Sequence, residues 1–259
     1  MKLKTGCLLE YYSPYDIPLI LLLTLYKGGE QTILEEEWTV EPPVPTTVYV
    51  DIYGNICQRM IVPEGKFVFR TSAIIETEES IAVDFGANIM LIQDLPDETL
   101  LYLLPSRFCE SDQLSSKAND IIQDYFNGYE MVEAIRLWVN QNIKYQYDQS
   151  TSSTSALNTL GMAVGVCRDL SHLAIALCRS INIPARFVVG YLYQLDPMDL
   201  HAWFEAYLGG KWYIFDATQQ FMTGGRVVLA YGRDAADVAT ATFFGNLQLT
   251  NMNVYVEKY

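Results

Sequence analysis

The sequence predicts an α+β protein whose strands and helices are segregated along the chain, and three observations lead there. Residues 1–105 break into short apolar or β-branched runs cut by turn residues, with no helical period. Beyond them, apolar residues recur with a period near 3.6, and after Pro184 the pattern returns to strand-like runs. The stretch "YLLPSRFCES" lies at the change of regime. It sets two expected units, an antiparallel sandwich-like β domain over 1–105 and a mixed unit over 106–259.

Near the start, "IPLILLLTL" (Ile17 to Leu25) is nine residues long, too short to span a bilayer. Glu10 and Asp16 separate it from the basic first residues, so it does not read as a signal peptide. "EPPVPTT" reads as a loop. "TTVYVDIYGNICQRMIVP" carries a Gly54-Asn55 turn between two alternating segments, a local hairpin signal. "KFVFRTSAIIETEES" follows as a strand pair or one long strand.

Two amphipathic helices are expected from "SDQLSSKANDIIQDYF" and "YEMVEAIRLWVNQNIKY"; in the second, Val132, Ile135, Trp138 and Val139 share a face. "DQSTSSTSALNTLG" reads as a polar loop. A third helix is expected from Cys167 to about Ile181, stopping before Pro184. Strands follow near 185–193, 200–208 and 211–217, with a further pair between Arg226 and Val256.

Composition narrows the function. Lys and Arg number 17 against 31 Asp and Glu, a net charge of −14, which argues against nucleic acid as a partner because phosphate neutralisation needs basic patches. The five cysteines are scattered, odd in number and form no CxxC. This points away from a disulfide framework or a zinc site and toward a reducing, cytoplasmic setting with no membrane partner. Two histidines are too few for a His-rich metal centre.

The chemistry centres on "GVCRDLSHLAIALCRSINIPARFVVGYL" (165–192), which puts Cys167 at the start of a helix. A thiol there meets unpaired backbone N–H groups and the positive end of the helix dipole, where a thiolate is favoured. Thiol catalysis also needs a base and a group to orient it. "DLHAWFEAYLGGKWYIFDAT" supplies His201 and Asp216. A two-residue turn at Gly209-Gly210 pairs Leu208 with Lys211, Tyr207 with Trp212 and Trp203 with Asp216. His201, Trp203, Glu205 and Tyr207 then share a face, and Asp216, diagonal to His201, shares it too. Glu205 rivals Asp216 as the orienting acid, although its place opposite Ile214 is less suitable. Cys178 falls in the apolar stripe as a core thiol, Cys7, Cys57 and Cys109 read likewise, and His172 reads as a helix histidine without a partner pattern.

These residues resemble the transglutaminase-like superfamily, in its bacterial branch of candidate cysteine proteases. The shared pattern is Gly-x-Cys-x-Asp, then His-Ala-Trp, then an aromatic residue followed by Asp-x-Thr. "VDIYGN" and "YLLPSRF" resemble elements of that branch's N-terminal β domain and of the junction after it. Ala217 departs from the Pro found in many members, and Arg168 stands where Gln is common.

The resemblance implies a papain-like core in which the Cys helix packs on an antiparallel sheet bearing His and Asp. It carries the nucleophile onto Cys167, the base onto His201 and the orienting acid onto Asp216. The implied chemistry is acyl transfer on a peptide or protein substrate, with hydrolysis of an amide or peptide bond expected and no metal or organic cofactor required. Two alternatives stand beside it: cross-linking through an amine acceptor, and a binding module that keeps the fold without catalysis.

Overall fold

The computed structural model describes residues 1–259 and contains fourteen strands and five α-helices. The first six strands are β1 (Lys2–Ser13), β2 (Ile17–Leu21), β3 (Thr32–Glu41), β4 (Thr46–Val50), β5 (Ile56–Val62) and β6 (Gly65–Glu76). The helices are α1 (Asp97–Leu100), α2 (Ser115–Ile122), α3 (Gly128–Asn142), α4 (Ala156–Met162) and α5 (Cys167–Ser180). Two short strands, β7 (Lys144–Tyr145) and β8 (Val164–Gly165), bracket α4. The chain finishes with β9 (Ala185–Leu192), β10 (His201–Leu208), β11 (Lys211–Phe215), β12 (Arg226–Gly232), β13 (Ala241–Phe243) and β14 (Gln248–Lys258).

Three four-stranded antiparallel sheets result, ordered β14-β1-β6-β3, β13-β2-β5-β4 and β11-β10-β9-β12, with β7 and β8 forming a parallel pair. The expected hairpin around Gly54 is present, with Val50 opposite Ile56 and Gly54 at φ 84°, a left-handed conformation that glycine adopts without strain. "KFVFRTSAIIE" is one long strand rather than two.

The expected boundaries are corrected at the C-terminal end. β13 pairs with β2, and β14 pairs with β1 along almost its whole length, from Leu3↔Lys258 to Tyr12↔Gln248. The last strands therefore complete the N-terminal sheets, so 106–259 is not one unit. The strands expected between Arg226 and Val256 are present as β12, β13 and β14, but they do not pair with one another: β12 lies on β9. The physical cause is edge protection, since β1 without β14 would expose a row of unpaired backbone groups. One buried apolar cluster runs through all three sheets and the helices, from Leu3, Leu19 and Phe69 to Val132, Leu173 and Phe204.

The polar loop expected before Cys167 contains α4. Ser155 caps it by accepting from the Asn158 N–H, while Asn158 Oδ1 accepts from the Ser155 N–H. Asn in place of the usual Glu or Gln concealed this reciprocal cap in the sequence.

α5 is the central element. Leu170, Leu173, Ala174, Ile175, Ala176, Leu177 and Cys178 are fully or almost fully buried, and the helix lies against β9 and β10 on one side and α3 and α4 on others. Burial on all sides makes this helix a rigid platform for its first residue. It ends at Ser180; Asn182 turns left-handed at φ 63° and Pro184 bars continuation.

Candidate active site

The start of α5 is built by the Gly165, Cys167 and Asp169 spacing. Asp169, wholly buried, turns back so that Oδ2 accepts the Val166 N–H at 3.0 Å, satisfying one of the donors a helix N-terminus leaves free. That return requires glycine two residues before the thiol. A Cβ on Gly165 would lie 2.8 Å from Asp169 Cβ and 3.2 Å from its Oδ2. Cys167 is the one cysteine of the five that is not buried. The Arg168 guanidinium is committed to Asp169 Oδ1 at 2.8 Å, Ser150 Oγ at 2.7 Å and the Thr151 carbonyl at 2.6 Å, so it ties the 150–151 loop to the helix start.

The hairpin carrying His201 and Asp216 has the register that a two-residue turn dictates: Leu208↔Lys211, Tyr207↔Trp212 and Phe204↔Phe215. Gly209 and Gly210 both take positive φ, 56° and 94°, as such a turn demands. Phe204 and Phe215 face the helices, with Tyr129 of α3 5.0 Å from the Phe215 ring. His201, Trp203 and Asp216 occupy the other parity. Across it His201 Nε2 and Asp216 Oδ2 stand 2.7 Å apart, both groups buried. The Cys167 thiol lies within hydrogen-bonding reach of the same imidazole. With Nε2 engaged by the carboxylate, Nδ1 is the nitrogen left for sulfur.

Electrostatics fit an ion pair. Burial opposes charge on His201, but the Asp216 charge and hydrogen bond outweigh it, and the imidazole is held up to about 9 against its ordinary 6.5. Burial likewise opposes the Asp216 carboxylate. The charges of His201 and Arg226, with hydrogen bonds from His201 and Thr218, outweigh it and keep this acid well below the usual carboxylate range. Asp216 Oδ1 accepts from the Thr218 N–H at 2.9 Å and its hydroxyl at 2.7 Å, which explains the Asp-x-Thr spacing.

Two arginines at the site carried no motif. Arg226, 4 % exposed, places Nη1 2.9 Å from Asp216 Oδ2, at an angle too poor for a hydrogen bond, so the contact is coulombic. Arg136 on α3 donates to the backbone carbonyls of Asp216, Gln219 and Gln220, fixing the loop after the carboxylate. Only Arg136 left a trace in the sequence, as a charged residue one position from Ile135 on the apolar face.

Glu205 does not reach His201. Its Oε2 is held by Arg186 Nε at 2.8 Å and Nη2 at 2.6 Å on the same sheet face. His172 is buried between Phe108 and Phe187, its Nε2 accepts the Ala235 N–H, and burial lowers it to about 3, so it stays neutral. Cys7 and Cys109 are pushed up to about 12 by burial. A cavity of about 270 Å³ is lined by Glu30, Arg186, Glu205, Lys211, Trp212 and Arg226, among others, but not by Cys167, His201 or Asp216.

A profile of the transglutaminase-like superfamily matches residues 115–217, the span from α2 through Asp216. The crystal structure of a candidate cysteine protease from Cytophaga hutchinsonii matches with a TM-score of 0.93 at 37 % identity, covering 99 % of this chain and 90 % of that one. This chain belongs to the transglutaminase-like superfamily. Among curated proteins, an uncharacterized protein of Mycobacterium leprae (strain TN) is 25 % identical over 252 residues, 91 % of this chain and 89 % of its own length. The periplasmic domain of TgpA from Pseudomonas aeruginosa is a more distant structural match, with a TM-score of 0.43, 16 % identity and coverage of 82 % and 87 %.

Within that superfamily the α+β architecture here has its helices on an antiparallel sheet, with α5 against β9 and β10. The departure at Ala217 leaves a buried Ala whose carbonyl accepts from Asn140 Nδ2 at 2.9 Å. No helix is long and apolar enough to cross a membrane.

Proposed function

We propose that this chain is a cysteine-dependent acyl-transfer enzyme that hydrolyses peptide or amide bonds through Cys167, His201 and Asp216. The observation that carries the reading is the sequence of contacts from thiol to imidazole to buried carboxylate, ending in the 2.7 Å bond between His201 Nε2 and Asp216 Oδ2. Cys167 attacks the carbonyl carbon, and its proton passes to His201 Nδ1. Asp216 fixes the ring orientation and stabilises the imidazolium that forms. The imidazolium then gives its proton to the leaving amine, and water resolves the thioester. The Cys167 backbone N–H, at the helix start, is a donor for the developing oxyanion.

Hydrolysis is favoured over amine transfer because an amine must be bound and shielded to compete with water, and no sequence feature marks a pocket dedicated to one. The substrate is a peptide or protein, and the β-sheets outside the helix-bearing sheet are a non-catalytic part that docks it or limits access to Cys167. Five unpaired cysteines support a cytoplasmic setting. The test is an unbiased screen of proteome-derived peptides with mass-spectrometric readout, comparing wild type with Cys167→Ala. New amino termini or ammonia release that depend on Cys167 support the reading. Incorporation of a labelled primary amine faster than hydrolysis replaces it with transamidation, and no Cys167-dependent product at all favours the binding module.

A further inference from the structure

The cavity of about 270 Å³ lies on the face of the β11-β10-β9-β12 sheet turned away from α5, under residues 29–31 ahead of β3 and 77–82 after β6. Hydrogen bonds fix its walls. The Gln31 side-chain amide donates to the Val228 carbonyl at 2.9 Å and accepts the Val228 N–H at 2.7 Å, and the Thr77 hydroxyl donates to the Arg226 carbonyl at 2.8 Å. On the floor, the Arg186 guanidinium lies 4.2 Å over the Trp212 ring and 3.8 Å over that of Tyr231. It donates twice to a single oxygen of Glu205, Oε2. The other oxygen, Oε1, accepts no hydrogen bond and is not enclosed by protein, although Glu205 is only 5 % exposed. Buried carboxylates ordinarily fill their acceptor sites, so an acceptor is left over on the cavity wall.

The charge that the fold leaves uncompensated here is negative. Arg186 is paired with Glu205, and Arg226 Nη1 stands 2.9 Å from Asp216 Oδ2. Glu30 and Glu78 also line the cavity and form no ion pair, while the remaining cation, Lys211, sits 4.7 Å over the Tyr213 ring. Burial and the charges of Glu205 and Glu78 raise the Glu30 carboxyl above its ordinary range, and Lys211 opposes them. We propose that the cavity binds an organic cation, an ammonium or guanidinium group on an apolar stem, between Glu205 Oε1 and the Glu30 carboxylate. The N–H groups of the head donate to both acids, and the stem lies against Ile81, Ile214 and Val228. None of Cys167, His201 and Asp216 lines the cavity, so its occupant is a ligand and not an acyl acceptor at the thiol. A free alkyl amine and a lysine or arginine side chain of a polypeptide present the same chemistry.

Isothermal titration calorimetry of the full chain near neutral pH tests this with n-pentylamine. Neutral 1-pentanol and anionic pentanoate serve as controls of the same length, and acetyl-Gly-Lys-Gly-amide presents the cation on a peptide. Pentylamine should bind saturably, one per chain, and neither control should. Glu30→Gln alters an exposed carboxylate that the fold does not use, and it should weaken pentylamine by about tenfold or more, the usual effect of losing one charge-assisted hydrogen bond. Glu64→Gln, in the exposed turn between β5 and β6, should leave binding unchanged. Cys167→Ala should bind as wild type does, which keeps the outcome independent of the nucleophile reading. If the peptide binds with the same dependence on Glu30, the site takes a polypeptide side chain; if only pentylamine binds, it takes a free amine. Pentylamine that does not saturate, that binds Glu30→Gln as well as wild type, that is weakened equally by Glu64→Gln, or that is lost in Cys167→Ala overturns the proposal. Tighter binding of pentanoate than of pentylamine overturns it too.

Discussion

His201 and Asp216 are bonded at 2.7 Å across a hairpin although fifteen residues separate them in the chain. Their loss should not cost the same. His201→Ala removes both the proton acceptor and the cation beside the thiol, so turnover and thiol reactivity should both collapse. Asp216→Asn keeps the side-chain shape but can favour the wrong tautomer. In a serine triad that change costs about 10⁴ in turnover. A cysteine site should lose less, about 10²-fold, because a thiol ionises more readily than a hydroxyl. Turnover measured beside circular dichroism tests this; equal turnover for wild type and Asp216→Asn would remove the carboxylate from the mechanism.

The same pair predicts a pH window for stability. The His201 imidazole is held up to about 9 in the folded protein against about 6.5 unfolded. A group raised on folding contributes stability that is complete below its unfolded value and disappears as pH rises through its folded one. The Asp216 carboxylate stays ionised throughout this range. The gap in Tm between wild type and Asp216→Asn should therefore be largest near pH 6 and shrink steadily toward pH 9. A gap that widens over that interval would contradict the ion pair.

Gly165→Ala should act through Asp169. The new Cβ would approach Asp169 Cβ to 2.8 Å, so the carboxylate must leave the Val166 N–H or the helix start must shift. The expected cost is about 1–3 kcal/mol, the usual range for overpacking a buried site. Alkylation of Cys167 should slow as well. A variant as stable and as reactive as wild type would show that Gly165 is not needed for the cap.

Deleting residues 248–259 should be more damaging than a terminal trim usually is. It removes β14, uncovers β1 and exposes the buried Val254 and Val256 partners within the shared core. The truncated chain should aggregate or lose its cooperative melt. A soluble product with unchanged Tm would mean that β14 is dispensable.

Local signals made the helix and hairpin parts legible. Gly209-Gly210 set the register, alternation set the faces, and a thiol after Gly-Val at the start of an apolar run marked the helix N-terminus. Long-range partners were not legible. Nothing within β13 or β14 says that they pair with β2 and β1 more than two hundred residues away. Arg226 reaches Asp216 only because a bulged β12 lies beside β9, a consequence of tertiary packing that no spacing encodes. Glu205 and Asp216 have the same parity in the strand pattern, and only the position of Arg186 on the neighbouring strand separates their roles.

Everything proposed for the site turns on Cys167 being a nucleophile activated by His201. Limiting iodoacetamide at pH 6 followed by peptide mapping, on wild type and on His201→Ala, measures it most directly. The other four thiols are buried, so selective labelling of Cys167 alone could reflect access; the comparison between the two proteins isolates activation. The predicted result is labelling confined to Cys167 in wild type and slowed at least tenfold in His201→Ala, with the fold intact by circular dichroism. Equal rates at Cys167 in the two proteins, or labelling of Cys7 or Cys57 as fast as Cys167, would contradict it.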